Sequence, residues 1–171
     1  MQLKTPTGTH TRPTADRVKE ALFSILQFEL PGAKVLDLFG GTGQLGIEAL
    51  SRDASSAVFV DEREDACALI RENLNRSKLA QFAQVYRADY MTFLKKCHER
   101  FDIIFLDPPY AEVFLENSLK MITEIDILQS GGIIVTERPV GKELPVDLPG
   151  YMRSKDYRYS STILTLYRKD S

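Results

Sequence analysis

The sequence contains little cysteine or histidine, and this scarcity excludes several classes of protein. Only two of the 171 residues are cysteine, Cys67 and Cys97, and two are histidine, His10 and His98. The two cysteines are thirty positions apart and form neither a disulfide framework nor a Cys-x-x-Cys pair. We therefore expect a reducing compartment and no metal site. Neither histidine lies near a serine or cysteine nucleophile pattern, so neither is assigned as a catalytic base.

Long apolar runs are also missing. No segment approaches the roughly 20 apolar residues that cross a bilayer, and the opening MQLKTPTGTHTRP has no apolar core of a secretory signal. With 43% hydrophobic and 27% charged residues, the chain nevertheless has enough apolar material for a core. We expect a cytoplasmic protein without a membrane partner. It should be a single domain over 1–171, with an extension and helix over 1–30 and the core over 31–171.

Neither sign of charge dominates the sequence, since the net charge is −2. The distribution is uneven, with +2 over residues 1–34, −7 over 35–137 and +3 over 138–171. An acidic centre argues against a protein coated in positive charge, but it permits a local basic rim near the termini. Overall charge therefore neither establishes nor excludes a nucleic-acid partner.

Apolar, β-branched runs alternate with segments of helical period. The runs are 34–38, 57–60, 83–87, 101–106 and 132–136, and the helical segments are 44–52, 64–76, 91–98 and 112–125. This alternation is typical of βαβ units and predicts an open, mostly parallel sheet. Residues 14–28 predict an extra helix before the sheet. Residues 151–159 and 162–168 are too close together for a crossover helix, so they predict an antiparallel hairpin at the sheet edge.

The stretch VLDLFGGTGQLGIEAL, residues 35–50, indicates a strand, a glycine turn and the start of a helix. Gly41, Gly43 and Gly46 fit the pattern G-x-G-x-x-G, in which backbone N–H groups and a helix N-terminus approach a ligand. The next predicted strand ends at Asp61, whose carboxylate could accept hydrogen bonds from both hydroxyls of a ribose. The pattern favours a nucleoside-containing cofactor over a turn that merely joins strand to helix.

Asp89 follows the third predicted strand and has two possible roles. It could accept a hydrogen bond from the amino group of an adenine. Alternatively, it could be a surface residue that caps the next helix.

The fourth predicted strand runs directly into Asp107, Pro108, Pro109 and Tyr110. The prolines fix the backbone and remove two N–H donors, which leaves acceptors beside an aromatic ring. Such a cluster is complementary to a planar group bearing an NH2. If Asp107 and the Pro108 carbonyl accept its two hydrogens, the nitrogen can direct its lone pair at an electrophilic methyl group. Tyr110 would stack on the base. The alternative is a strand that simply ends at two prolines.

These segments together resemble the class I S-adenosylmethionine methyltransferases that modify exocyclic amines. More narrowly, Arg12-Pro13-Thr14, Asp16-Arg17 and Leu22-Phe23, followed by Asp37-Leu38-Phe39 and Gly46-Ile47-Glu48-Ala49-Leu50, resemble the bacterial 16S ribosomal RNA guanine-N2 methyltransferase family. The resemblance covers nearly the whole chain. It implies a Rossmann-like α/β fold with a seven-stranded, mostly parallel sheet, an antiparallel C-terminal strand and an extra N-terminal helix.

The resemblance also implies a site, a cofactor and a partner. S-adenosyl-L-methionine would lie across the carboxyl ends of the first three strands, and the substrate would be 16S rRNA, within a small ribosomal subunit or an assembly intermediate, bound by a monomer. Asp107 to Tyr110 would be catalytic. Arg12, Thr14 and Arg17 would contact RNA, and the alternative for Arg12 and Arg17 is an exposed ion pair. The cofactor-binding residues would be Asp37, Phe39, Gly40, Gly41, Thr42, Gly43, Asp61, Glu62, Asp89 and Tyr90.

Members of that family usually begin with a basic β-hairpin ahead of the first helix. Only eleven residues precede Arg12 here, so we expect most of that hairpin to be absent and the affinity for RNA to be lower. We expect the fold and the cofactor site to be unaffected.

Three other functions stay open. Adenine-N6 methylation of DNA or RNA would use the same acceptor cluster. Methylation of a protein glutamine fits less well, because the enzymes that catalyse it carry Asn at the position of Asp107. A non-catalytic RNA-binding or assembly subunit could keep the fold, although the intact Asp107 and glycine turn argue against it.

Overall fold

Five parallel strands form the centre of the fold. In this computed structural model, which describes residues 13–109, 111–144 and 148–170, they are β1 (Lys34–Asp37), β2 (Ser56–Asp61), β3 (Ala83–Arg87), β4 (Phe101–Leu106) and β5 (Leu128–Pro139). Three C-terminal strands complete the sheet, β6 (Tyr151–Arg153), β7 (Tyr157–Tyr159) and β8 (Thr162–Lys169). The strand order is β3-β2-β1-β4-β5-β8-β6, with β7 also paired to β8, and β8 runs antiparallel to β5. The expected mostly parallel sheet with an antiparallel C-terminal strand is confirmed.

Helices cover both faces of this sheet. They are α1 (Pro13–Ile25), α2 (Gln44–Ser51), α3 (Glu64–Arg76), α4 (Tyr90–Lys96) and α5 (Ala111–Ile125), with a short 3-10 turn over Ala80–Phe82. Helices α1, α2 and α3 pack on one face, here called the α1 face, and α4 and α5 pack on the other. Because side chains alternate along a strand, Ile103 and Phe105 of β4 point to the α1 face, whereas Ile104 and Leu106 point to the opposite one.

The C-terminal hairpin differs from its prediction in two respects. The expected strand over 151–159 is divided into β6 and β7, so the sheet has eight strands rather than seven over the described residues. The division has a physical cause, because Asp156 in the break accepts hydrogen bonds from Thr165 and from the buried Arg138. In addition, β8 lies inside the sheet between β5 and β6. The sheet edge beyond β8 is formed by β6 and β7.

Several predicted features lie outside the described part of the chain. Arg12, Tyr110 and the side chain of Thr14 are among them. Within the described ranges, no helix has both the length and the apolar character needed to cross a membrane. Cys67 is buried as a small core side chain, and neither Cys67 nor Cys97 is in a disulfide.

Candidate active site

The carboxyl ends of neighbouring parallel strands surround a cavity of about 330 Å³. Asp37 is the last residue of β1 and Asp61 is the last residue of β2, and Asp107 comes directly after β4. Crevices at this edge are the usual ligand sites of open α/β sheets, because the loops there diverge to opposite faces. The residues that line the cavity are Asp37, Leu38, Phe39, Gly40, Gly41, Thr42, Gln44, Leu45, Asp61, Glu62, Arg63, Ala88, Tyr90, Asp107, Pro109 and Phe114.

The glycine turn between β1 and α2 brings backbone close to this cavity. Gly43 has φ +82°, a left-handed conformation that favours glycine, and its N–H donates to the Gly40 carbonyl at 2.7 Å. Gly46 allows α2 to approach the sheet, since a Cβ there would lie 2.3 Å from the ring of Phe59. The Asn73 side chain donates to the Thr42 carbonyl at 2.9 Å and supports the turn from α3. The turn is thus fixed from both sides before any ligand binds.

Asp61 connects the end of β2 to the glycine turn. Its Oδ2 accepts the Gly41 N–H at 3.0 Å, and its Oδ1 accepts the Arg63 N–H at 2.9 Å. The carboxylate is therefore held in place beside the cavity, where it could also accept hydroxyl hydrogen bonds from a ribose, since each oxygen has two lone pairs.

Asp37 is a buried carboxyl at the floor of the cavity, only 2% exposed. The Gly46 N–H donates to its Oδ2 at 3.1 Å, which fixes the start of α2 to the end of β1. Burial raises the pKa of Asp37 to about 8, and the neighbouring Asp107 and Asp61 add to this rise. At neutral pH the unliganded protein keeps a largely uncharged Asp37 here.

Asp107 forms a carboxyl pair that the sequence did not reveal. Its side chain is hydrogen-bonded to Glu137, which lies near the end of β5. Burial raises the pKa of Asp107 to about 6, although the hydrogen bond from Glu137 opposes that rise. Burial and the adjacent Asp107 raise the pKa of Glu137 to about 8. The Asp107–Glu137 pair therefore contains one carboxylate and one carboxylic acid near pH 7.

An aromatic wall closes one side of the cavity. The ring centroids of Phe39 and Tyr90 are 5.2 Å apart, and those of Tyr90 and Phe114 are 5.5 Å apart in an edge-to-face arrangement. Asn117 donates to the Tyr90 hydroxyl at 3.4 Å. Phe114 keeps 36% of its surface exposed, so an apolar face remains available to a planar ligand.

Most of the site residues predicted from the sequence meet in this cavity. Asp37, Phe39, Gly40, Gly41, Thr42, Asp61, Glu62, Tyr90, Asp107 and Pro109 all line it. Gly43 and the buried Pro108 support it without lining it. Asp89 also lies outside the lining and caps α4, where its Oδ2 accepts the Met91 and Thr92 N–H groups at 3.1 and 3.3 Å. Its cap role is thus present, and its adenine contact stays a prediction. Arg17 is exposed near the start of α1.

Sequence reasoning missed two residues of particular interest here, Phe114 and Glu137. Phe114 lies one helical turn beyond the Asp-Pro-Pro-Tyr motif, where the first turn of α5 faces the cavity. Glu137 follows a buried run of β5. It could have been found, because Asp37, Asp61 and Asp107 each occupy the same place, an acid at the carboxyl end of an apolar strand.

The donor set of the cavity fits S-adenosylmethionine. Four carboxyl groups, those of Asp37, Asp61, Glu62 and Asp107, line it together with a single arginine, Arg63. An acidic lining suits a ligand with a sulfonium and an ammonium group. The tight glycine turn leaves room for its nucleoside, and the aromatic wall suits an adenine. Within the described residues, no group of three or more His, Cys, Asp or Glu side chains is arranged to hold a metal ion.

Comparison with solved structures agrees with this geometry. A putative methyltransferase, yhhF, from Escherichia coli superposes with a TM-score of 0.85 at 30% identity, covering 99% of this chain and 92% of its own. A Thermus thermophilus 16S rRNA N2 G1207 methyltransferase, solved with AdoMet and guanosine, superposes with a TM-score of 0.76 over 94% of this chain and 44% of its own. At 20% identity it supports the fold alone. Fold and cavity together define a class I methyltransferase.

The sequence comparisons identify the family. A putative rRNA methyltransferase, YlbH, from Bacillus subtilis is 40% identical over 98% of this chain and 92% of its own length. The Ribosomal RNA small subunit methyltransferase D of Escherichia coli K12 is 29% identical over 99% of this chain and 85% of its own length. The family model described as Conserved hypothetical protein 95 matches residues 1–168, and the chain belongs to this family.

Proposed function

We propose that this protein transfers a methyl group from S-adenosylmethionine to the N2 amine of a guanine in 16S ribosomal RNA. The observation that carries the proposal is the position of Asp107 and Pro109 in the same cavity as the glycine turn. An amine-orienting motif and a nucleoside-binding turn that share one cavity suit transfer between a nucleoside cofactor and an amino group. The names of the relatives from Bacillus subtilis and Escherichia coli support ribosomal RNA as the substrate.

On the cofactor side, Asp61 would accept the ribose hydroxyls, and the glycine turn would lie along the rest of the molecule. Bound there, S-adenosylmethionine supplies an electrophilic methyl group on a sulfonium. Asp89 would accept a hydrogen bond from the adenine amino group in addition to capping α4. These assignments combine the sequence pattern with the cavity lining.

On the substrate side, Asp107 and the Pro108 carbonyl would accept the two amine hydrogens. The nitrogen then becomes pyramidal and its lone pair faces the methyl group, so positioning and exclusion of water provide most of the rate enhancement. Tyr110 would stack on the base and hold its plane. No covalent enzyme intermediate is required.

The RNA would be bound by a basic rim at the start of α1. Arg12 and Arg17 would contact phosphates, and Thr14 would lie between them near the start of the helix. We propose that the substrate is a small ribosomal subunit or an assembly intermediate in the cytoplasm, and that the protein acts on it as a monomer without a metal.

The test is methyl transfer from radiolabelled S-adenosylmethionine into small subunits isolated from cells that lack this methylation, followed by nucleoside analysis. Parallel reactions use protein-free 16S RNA, a chelator and the Asp107→Ala variant. We expect N2-methylguanosine from subunits, unaffected by the chelator and strongly reduced in the variant.

Each other outcome contradicts a defined part of the proposal. Label in N6-methyladenosine would assign the alternative base, and equal labelling of protein-free RNA would remove the requirement for a particle. Binding of small subunits without any transfer would indicate a non-catalytic assembly protein.

A further inference from the structure

Glu137 and Asp107 lie side by side at the carboxyl ends of adjacent strands. Leu106 of β4 is in register with Thr136 of β5, so the next residue of each strand is again a neighbour. Side-chain alternation places Glu137 on the same side as Val135, which is on the α1 face, and Asp107 on the same side as Phe105, also on that face. The two carboxyl groups are hydrogen-bonded to each other and are partly removed from water.

A hydrogen bond between two carboxyl groups requires at least one of them to be protonated. Asp107 lines the cavity, and Glu137 is not among the lining residues. Glu137 is therefore suited to carry the proton, and Asp107, which lines the cavity, is suited to be the carboxylate.

We infer that Glu137 is a positioning residue, whose protonated carboxyl donates a hydrogen bond to Asp107 and keeps that carboxylate ionised and directed at the target amine. This inference rests on the proposed function and deepens it. Without the donor, burial would favour protonation of Asp107, and a protonated Asp107 accepts the amine hydrogens less well.

Other charged groups near the pair do not replace this proton. Charged or titratable side chains on the elements that pack at the α1 face include Asp16, Arg17, Lys19, Asp37, Glu48 and Tyr157. Lys19 and Glu48 form an ion pair with a separation of 3.4 Å and largely neutralise each other. Asp37 is mostly uncharged near pH 7, since burial raises its pKa to about 8. Arg138, next along β5, points to the opposite face and binds Asp156 there.

The proton balance of the reaction closes with this pair. The guanine N2 lone pair forms the new bond to the methyl carbon, the carbon–sulfur bond breaks, and its electron pair remains on sulfur. The methylated nitrogen carries one surplus proton, which passes to the Asp107 carboxylate. The pair then holds two protons and releases one to water, which returns it to the single-proton state for the next turnover.

The first experiment measures single-turnover methyl transfer across pH for the wild type, Glu137→Gln and Glu137→Leu. The wild type should lose activity below about pH 6 and above about pH 8, where the pair gains or loses its proton. Glu137→Gln keeps an N–H donor that does not titrate, so the alkaline loss should disappear. Glu137→Leu lacks a donor, so the acid loss should move to higher pH and the rate at pH 7 should fall about ten- to a hundredfold.

Glu124→Gln, an exposed acid on α5, is the matched control and should leave the profile unchanged. Calorimetry should give S-adenosylmethionine affinities within about twofold of the wild type for all variants. A Glu137→Leu protein with the wild-type profile would overturn the inference. Equal losses in Glu137→Gln and Glu137→Leu, without any change in profile shape, would also overturn it.

A second measurement is independent of activity. In protein labelled with ¹³C at the glutamate side-chain carboxyls, the Glu137 resonance is identified by its absence from Glu137→Gln. It should titrate well above the ordinary range of glutamate, and in Asp107→Asn it should move back toward that range. Titration in the ordinary range would overturn the inference even if the enzyme is active. Failure of the wild type to methylate RNA would instead contradict the proposed function. The titration would then still test whether the Glu137 carboxyl is protonated beside Asp107.

Discussion

Asp107 is the residue on which the proposed chemistry most depends, because it lines the cavity and is the proposed acceptor for the target amine. We expect Asp107→Ala to bind S-adenosylmethionine nearly as well as the wild type, since the proposed contact of this residue is with the target base and not with most of the cofactor. The methyl transfer rate should fall by about 10² to 10³, equivalent to roughly 2.7–4 kcal/mol, the usual effect of losing one positioning contact. Calorimetry and single-turnover assays separate the two effects.

Asp107→Asn provides the control for this prediction. Its amide oxygen can still accept one hydrogen bond, but the negative charge that would receive the proton is absent. We expect a smaller loss than in Asp107→Ala. A normal rate in Asp107→Ala would show that the carboxylate does not hold the amine.

Asp61 should contribute to cofactor affinity and not to the chemical step. We expect Asp61→Ala to weaken S-adenosylmethionine binding by about 1.5–3 kcal/mol, the range for lost hydrogen bonds to a charged group. Part of that loss would come from the Gly41 N–H, which Asp61 accepts at 3.0 Å. Calorimetry with S-adenosylmethionine and with NAD tests this, since NAD should not bind. Tight NAD binding without S-adenosylmethionine binding would contradict the cofactor assignment.

At the scale of single residues, the sequence was most informative where an acid followed an apolar strand. Asp61 and Asp107 were recognised for that reason, and both line the cavity. For Asp89 the sequence left two roles open, because the same position also suits a helix cap, and the structure contains that cap. Glu137 carries the same signal but was not recognised, and its pairing with Asp107 could not be read from the sequence, because only the strand register makes the two residues neighbours.

The approach of α2 to the sheet depends on Gly46. A Cβ at this position would lie 2.3 Å from the ring of Phe59, inside a closely packed core. We expect Gly46→Ala to reduce the free energy of unfolding by about 1–3 kcal/mol, the usual cost of overpacking. S-adenosylmethionine binding should weaken as well, because α2 begins at the glycine turn. Urea unfolding and calorimetry measure both changes.

A double-mutant cycle with Phe59→Leu identifies the cause. The smaller side chain creates space, so the loss in the double variant should be less than the sum of the two single losses. Strict additivity would show that the Phe59 ring is not what limits the approach of α2.

Among the secondary-structure elements, the prediction succeeded where local patterning was sufficient. Helix α3 spans Glu64–Arg76 and β4 spans Phe101–Leu106, with the bounds read from the sequence. The division between β6 and β7 was not predictable, because Asp156 is bound there by side chains from β5 and β8. Local patterning carries no information about such partners.

Buried carboxyl groups should make the stability of the whole molecule depend on pH. Burial raises the pKa of Asp37 to about 8, so the folded protein binds this proton more tightly than the unfolded chain does. The stability associated with the proton is fully present below the unfolded pKa of about 3.9 and is lost as pH rises through the folded value. The unliganded protein should therefore become less stable from about pH 4 to about pH 8.

Thermal unfolding of the wild type and of Asp37→Asn across this range tests the dependence. The asparagine oxygen can still accept the Gly46 N–H, and it does not titrate, so the decline with pH should be shallower in the variant. Glu137→Gln, measured as a separate single variant, should also have a shallower decline than the wild type. Identical slopes in all three proteins would mean that these carboxyls are not protonated in the folded state.

The sequence by itself determined the alternation of strands and helices, the glycine turn and the Asp-Pro-Pro-Tyr motif. Each depends on neighbours in the chain: an apolar run, a backbone that needs glycine, or a proline pair that removes donors. Its single-domain organisation over 1–171 stays a prediction. Only the tertiary structure decided which strand ends meet, because the order β2-β1-β4-β5 places Asp61, Asp37, Asp107 and Glu137 at consecutive strand ends. Shared burial there sets their protonation, and burial is a property of the packed sheet and not of any segment of it.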